Sequence, residues 1–206
     1  ELDKRLALAK GYNDSLNNVV SKDPYDKKNQ EEGRKAYARM LEVKEKIGHV
    51  EIPKINQDLP IYAGTSEEVL QKGVGHLEGT SLPVGGKSTH TVLTAHRGLP
   101  TAKLFTDLNK MKKGDVFYIH NIKEVLAYKV IDVFVVEPSD FDKVLVVEGK
   151  DYCTLLTCTP YMINSHRLLV RAERTEYNPA AVEKDLVSQV TGKYKIYLII
   201  SLIIIA

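Results

Sequence analysis

The residue types able to do chemistry in this chain converge on three short runs. Thr154-Leu155-Leu156-Thr157-Cys158 has strand character, delivers one thiol and stops at Thr159-Pro160. Ser165 to Thr175 is a second strand-like run, and it carries Arg167 nine residues after the cysteine. Thr91-Val92-Leu93-Thr94-Ala95 leads into His96. A thiol whose proton a neighbour can take is a nucleophile toward a carbonyl carbon. Free cysteine titrates at about 8.5, so an imidazole beside it would favour the thiolate or accept its proton. Imidazole also suits protonating a leaving amine and deprotonating an incoming one. A guanidinium offers a planar fork of donors to the oxyanion of a tetrahedral intermediate, where fixed donors contribute about 3 kcal/mol each. Cys158, His96 and Arg167 are therefore the candidate catalytic set.

Each has a plainer alternative: a buried structural cysteine, a satisfied histidine, a solvated surface arginine. That plainer reading is taken for Cys153, which sits mid-strand between Tyr152 and Thr154. It is also taken for His49, His76, His90 and His120, and for Arg171 and Arg174. His166 adjoins Arg167, but in a regular strand it points to the opposite face. Cys153 and Cys158 are five apart in one extended run. Their Cα atoms would be roughly 16 Å apart, beyond disulfide reach, and their side chains on opposite faces. They read as two free thiols with different fates. The histidines are scattered and no CxxC or His-x-x-x-His pattern occurs, so neither a metal nor a cofactor is assigned.

The elements that must position these groups are strands. The N-terminal third is helical and polar. Leu2, Leu6, Ala9, Tyr12, Leu16 and Val19 form one helical stripe over residues 2–20, Asp23-Pro24-Tyr25-Asp26 interrupts it, and residues 30–46 resume a helical pattern. A boundary falls near Ile47-Gly48. Beyond it the texture is β. Strands are expected at 49–55, 59–63, 73–77, 90–95, 115–120, 123–136, 151–158 and 168–174. Ser66 is a helix N-cap, and short helical turns fall at 104–108 and 141–145. About eight short strands with small helices between them suggest a barrel or a sandwich. At 206 residues the chain fits one domain with appendages, and its net charge of +2, with both signs interleaved, argues against a nucleic-acid partner.

Three of these runs together resemble the sortases, Gram-positive cell-surface transpeptidases that cleave an LPxTG-like sorting signal. Thr154 to Cys158 matches the TLxTC signature, Thr94-Ala95-His96 the strand end bearing the family histidine, and Asn164-Ser165-His166-Arg167-Leu168-Leu169-Val170 the N-x-x-R-L-x-V run bearing its arginine. The likeness covers roughly Gly48 to Glu176. It implies a closed eight-stranded sortase-type β-barrel, mainly β with short connecting helices, over 48–177. It also implies acyl transfer through a thioacyl enzyme, with Cys158 as nucleophile, His96 as acid–base partner and Arg167 as oxyanion stabiliser. The appendage at 1–47 resembles that of class C sortases, which polymerise pilins and carry an Asp-Pro-aromatic lid. Asp23, Pro24 and Tyr25 match it, within a lid of about 21–29. The implied partners are pilin or surface-protein substrates, with a lysine of the next pilin as acceptor.

Residues 178–193 read as a C-terminal helix or linker. Ile196 to Ala206 is uncharged and almost wholly apolar, preceded by Lys193 and Lys195. A spanning helix needs about twenty such residues. The segment 194–206 is expected to be the opening half of a membrane anchor, the alternative being a buried C-terminal strand. The start of the gene product is expected to precede Glu1. With the resemblance to cell-surface sortases, this anchor implies a place on the outer face of the cell membrane. Two other functions remain open: a cell-wall-anchoring sortase that uses a peptidoglycan amine, and a non-catalytic tethered β-domain that binds surface proteins. A papain-like hydrolase is disfavoured, because papain-like enzymes place the cysteine early and the histidine late.

Overall fold

The computed structural model describes residues 2–16 and 46–179. The expected lid at Asp23-Pro24-Tyr25, the second helical run and the apolar tail lie outside the described residues. Residues 1–175 form one compact unit and 176–206 a second. The first helix, α1, spans Leu2–Ser15. It is followed after the undescribed segment by β1 (Lys46–Ile52), β2 (Gln57–Ala63), α2 (Glu67–Lys72), β3 (Val74–His76) and β4 (Thr89–Thr94). Then come β5 (Val116–His120), β6 (Val125–Val136), β7 (Asp151–Thr159) and β8 (His166–Thr175).

Local chemistry sets several of these bounds. The expected strand over 49–55 ends at Ile52, because Pro53 carries no N–H for the ladder and opens a 3₁₀ turn, Pro53–Ile55. Asn56 closes that turn at φ 52°, the left-handed region that asparagine tolerates. Ser66 caps α2 as expected, its Oγ accepting from the Val69 N–H at 3.4 Å. The turn expected over 104–108 instead places its 3₁₀ residues at Leu108–Lys110. Leu104 sits at φ 43°, which is incompatible with a right-handed helix starting there.

The strands close into a barrel in the order β1-β2-β3-β4-β7-β8-β6-β5. Closure leaves no sheet edge unpaired. Two neighbours are parallel, β2 with β3 and β4 with β7; the other pairings are antiparallel. The barrel interior is packed by Val50, Ile61, Leu93, Phe117, Tyr128, Leu155 and Val170 among others. A second apolar cluster lies on the other face of β4, β7 and β8, where Val92, Leu156 and Leu169 pack with Val144. So the middle of these three strands is buried on both sides, which explains their nearly continuous apolar runs. Leu6 and Ala9 of α1 pack on Leu82 and Val84. Asn13 fixes that contact with a reciprocal pair, accepting from Leu82 N–H at 2.7 Å and donating to Leu82 O at 3.2 Å.

Candidate active site

Side chains alternate across a strand, and the parity of β7 separates its two thiols. Cys153 belongs to the interior set with Leu155. Cys158 has the parity of Leu156, the outer set. The opposite-face expectation therefore holds, and neither cysteine is in a disulfide. Burial pushes the Cys153 thiol well above its ordinary value, with the nearby Asp151 charge adding to the effect. It stays protonated and inert.

The register then brings the other two groups to Cys158. On one side, β8 runs antiparallel to β7 with Cys158 directly opposite Arg167. On the other, β4 runs parallel to β7 with Thr94 beside Leu156. The Ala95 N–H extends this ladder by donating to Leu156 O at 3.3 Å. Two residues after Thr94 and two after Leu156 lie His96 and Cys158. His96, just past the end of β4, thus falls level with Cys158 on β7 and Arg167 on β8 at one end of the barrel, on backbones spaced by roughly 4.8 Å. The parallel pairing of β4 and β7 is what allows this, since both strands then end at the same rim.

Further bonds hold the row. Thr157 Oγ1 donates to Ala95 O at 2.8 Å and ties the segment before His96 to β7. The His96 carbonyl accepts from the Phe105 N–H at 3.1 Å. His96 Nε2 lies 3.3 Å from Glu67 Oε1, at the first turn of α2. Arg167 is only 8% exposed, and its Nη1 donates to Asn164 O at 3.0 Å and to His166 O at 3.1 Å. His166 faces away, 3.1 Å from Glu137. Cys158, also 8% exposed, lines an open cleft of about 460 Å³ with His96, Arg97, Gly98, Tyr161, Met162 and Asn164. A more apolar hollow of about 580 Å³ beside α1, lined by Leu8, Ile47 and Val84 among others, shares none of the described residues with it.

This geometry can support nucleophilic acyl transfer. The thiol and the imidazole line one cleft, and a buried guanidinium opposite Cys158 is fixed by backbone carbonyls. Sequence reasoning missed Glu67, which is 29 residues before His96 and carries no local signal. It also missed Arg97, legible only as the neighbour of His96. One expectation is corrected: Arg171 and Arg174 are not freely solvated. Arg171 binds Asp132 at 2.7 Å and lies over the rings of Phe134 and Tyr152, while Arg174 lies over Tyr128. Their strand neighbours are aromatic, and a guanidinium stacks on such faces. The histidines given structural roles have partners. His76 and His90 are wholly buried, with His76 against Ser81 O and His90 between Leu145 O and Thr154. His49 and His120 stack at 4.1 Å beside Asp58 and Glu51.

Residues 50–175 match the family model described as the sortase domain. Among curated proteins, the chain is 33% identical to sortase A of Bacillus anthracis over 65% of its own length and 61% of that protein's. It is 30% identical to sortase A of Staphylococcus aureus, over 70% and 68% of the two chains. The chain thus spans less than two thirds of the Bacillus anthracis relative. Among solved structures it resembles sortase C-1 of Streptococcus pneumoniae, with 66% identity, TM-score 0.80 and coverage of 86% of this chain and 91% of that one. It also resembles Streptococcus agalactiae sortase C1, at 60% identity, TM-score 0.80 and coverage of 88% and 89%. The pilus island 1 sortase C2 of group B Streptococcus is 66% identical, with TM-score 0.78 and coverage of 85% and 97%.

Proposed function

Because the chain belongs to the sortase family, we propose that it is a pilus-assembly cysteine transpeptidase of class C, with Cys158, His96 and Arg167 as its reacting groups. The observation that carries the reading is the register that sets His96, beyond the end of β4, level with Cys158 on β7 and Arg167 on β8, in a chain 66% identical to streptococcal sortase C structures. The Cys158 thiolate attacks the threonine carbonyl of an LPxTG-like signal, forming a C–S bond. Arg167 receives the developing oxyanion charge. The C–N bond then breaks and His96 protonates the departing amine, leaving a thioester. A lysine amine of the next pilin gives its proton to His96 and attacks the thioester. An isopeptide bond forms as the C–S bond breaks, and the thiolate is regenerated beside the protonated His96.

Asp23 and Tyr25 are proposed to gate this site, Asp23 through a charge-assisted contact to Arg167 and Tyr25 through its ring over Cys158. Anchoring at the outer face of the membrane through the apolar tail belongs to the same reading. Among the described residues no helix is long and apolar enough to cross a membrane.

The test is to incubate the protein with an LPxTG-type peptide and a lysine-bearing pilin peptide. The expected products are a thioester on Cys158, detected by mass spectrometry, and an isopeptide-linked conjugate. Cys158→Ala should give neither. A protein with Asp23 and Tyr25 replaced by alanine that still formed no adduct would defeat the reading.

A further inference from the structure

Arg97 lines the same cleft as Cys158 and His96, and the chemistry above gives it no part. Its Nη1 donates to Thr159 Oγ1 at 2.5 Å, the residue directly after the nucleophile. Its Nε lies buried with no hydrogen-bond partner among the described residues. An unmatched buried donor is unfavourable, more so on a cation, and persists where it has a use. The segment has little room to turn that donor elsewhere. The His96 carbonyl is bonded to Phe105 N–H, and Gly98 stands at φ +104°, where an added Cβ would meet Thr106 Oγ1. Among the described residues that line the cleft there is no carboxylate. An occupant of the cleft is then placed to supply the acceptor for Nε–H. An extended peptide presents backbone carbonyls to each side in alternation.

We propose that Arg97 is a substrate-holding residue, donating its Nε–H to a backbone carbonyl of the acyl-donor peptide beside the scissile bond. Thr159 holds the other arm of the guanidinium so that the fork is oriented before the peptide arrives. Lysine cannot replace it, since an ammonium is a point charge without the fork. The inference rests on the acyl-transfer reading of the cleft.

Two rates separate the possibilities in the full chain. One is single-turnover formation of the Cys158 thioester from an LPxTG-type peptide. The other is alkylation of Cys158 by iodoacetamide, which needs no peptide. In Arg97→Ala and Arg97→Lys the apparent peptide affinity should fall about tenfold or more, the effect of losing one charge-assisted hydrogen bond. Alkylation should change by less than about twofold, as it involves no peptide contact. Thr159→Val, which keeps the guanidinium and removes its anchor, should show a smaller loss of the same kind. This variant carries the test if the Arg97 variants do not fold. Unchanged peptide affinity in the variants, against an active wild type, overturns the role of Arg97 alone. A parallel fall in alkylation overturns it too, because Arg97 would then serve the thiol rather than the peptide. A wild type that forms no thioester removes the acyl-transfer premise and the proposal with it.

Discussion

His90 shows how much of a residue's behaviour is set by what surrounds it. Its Nδ1–H donates to Leu145 O and its Nε2 accepts from Thr154 Oγ1, both at 2.8 Å, so the neutral ring is fully satisfied. Burial lowers its pKa to about 4, and burial also lowers that of His76 to about 4. In the unfolded chain both titrate near 6.5. Between those values the unfolded chain binds more protons than the folded one, so stability falls as pH falls. The loss begins near pH 6.5 and is complete below about pH 4, amounting to on the order of 3 kcal/mol per imidazole. Urea unfolding at a series of pH values should show this slope, and His90→Gln should remove about half of it. A slope identical in wild type and variant would mean that His90 is not held neutral. Cys153 follows the same logic, kept inert by burial while Cys158, the same residue type on the same strand, opens onto a cleft.

At the scale of elements, the pairing of β4 with β7 decides whether there is a site at all. Parallel neighbours end at the same rim, and the register places the residue after Ala95 level with Cys158. Past Thr94 the strand assignment stops, and two bonds carry the alignment onward, Ala95 N–H to Leu156 O and Thr157 Oγ1 to Ala95 O. Thr157→Val keeps the shape and removes the second bond. Unfolding should show a loss of about 1 kcal/mol. The rate of Cys158 acylation should fall further than that stability change explains, because His96 loses its tether. A destabilised variant with an unaltered acylation rate would assign the clamp to folding alone.

At the scale of the whole molecule, the barrel carries the site while a segment far away in sequence is proposed to govern access to it. Asp23 and Tyr25 precede Cys158 by about 135 residues in a chain of 206, and a gate of this kind works by occluding a preformed site rather than by building it. Replacing both by alanine should therefore speed labelling of Cys158 by a maleimide several-fold and leave the thermal midpoint of the barrel within a few degrees. Labelling at the wild-type rate would dispose of the gate and leave the chemistry of the barrel untouched.

What could be read from residues alone was whatever depends on short range. Strand character, the alternation that sends Cys153 and Cys158 to opposite faces, the cap at Ser66 and the three motif runs are all local patterns. The closed barrel came from the likeness of those runs to a known family, which also gave the candidate set of Cys158, His96 and Arg167, first picked out by residue type, its implied roles. Whatever depends on pairing between distant strands was out of reach. No local signal says that β4 lies parallel to β7, that Glu67 comes within 3.3 Å of His96, or that Arg171 crosses to Asp132. The bounds of β1 and of the turn near Leu108 moved for a smaller reason, since one proline and one positive φ outweigh several residues of propensity. The chain's chemistry is thus written in residue types, and its geometry in the register of three strands that only long-range pairing brings together.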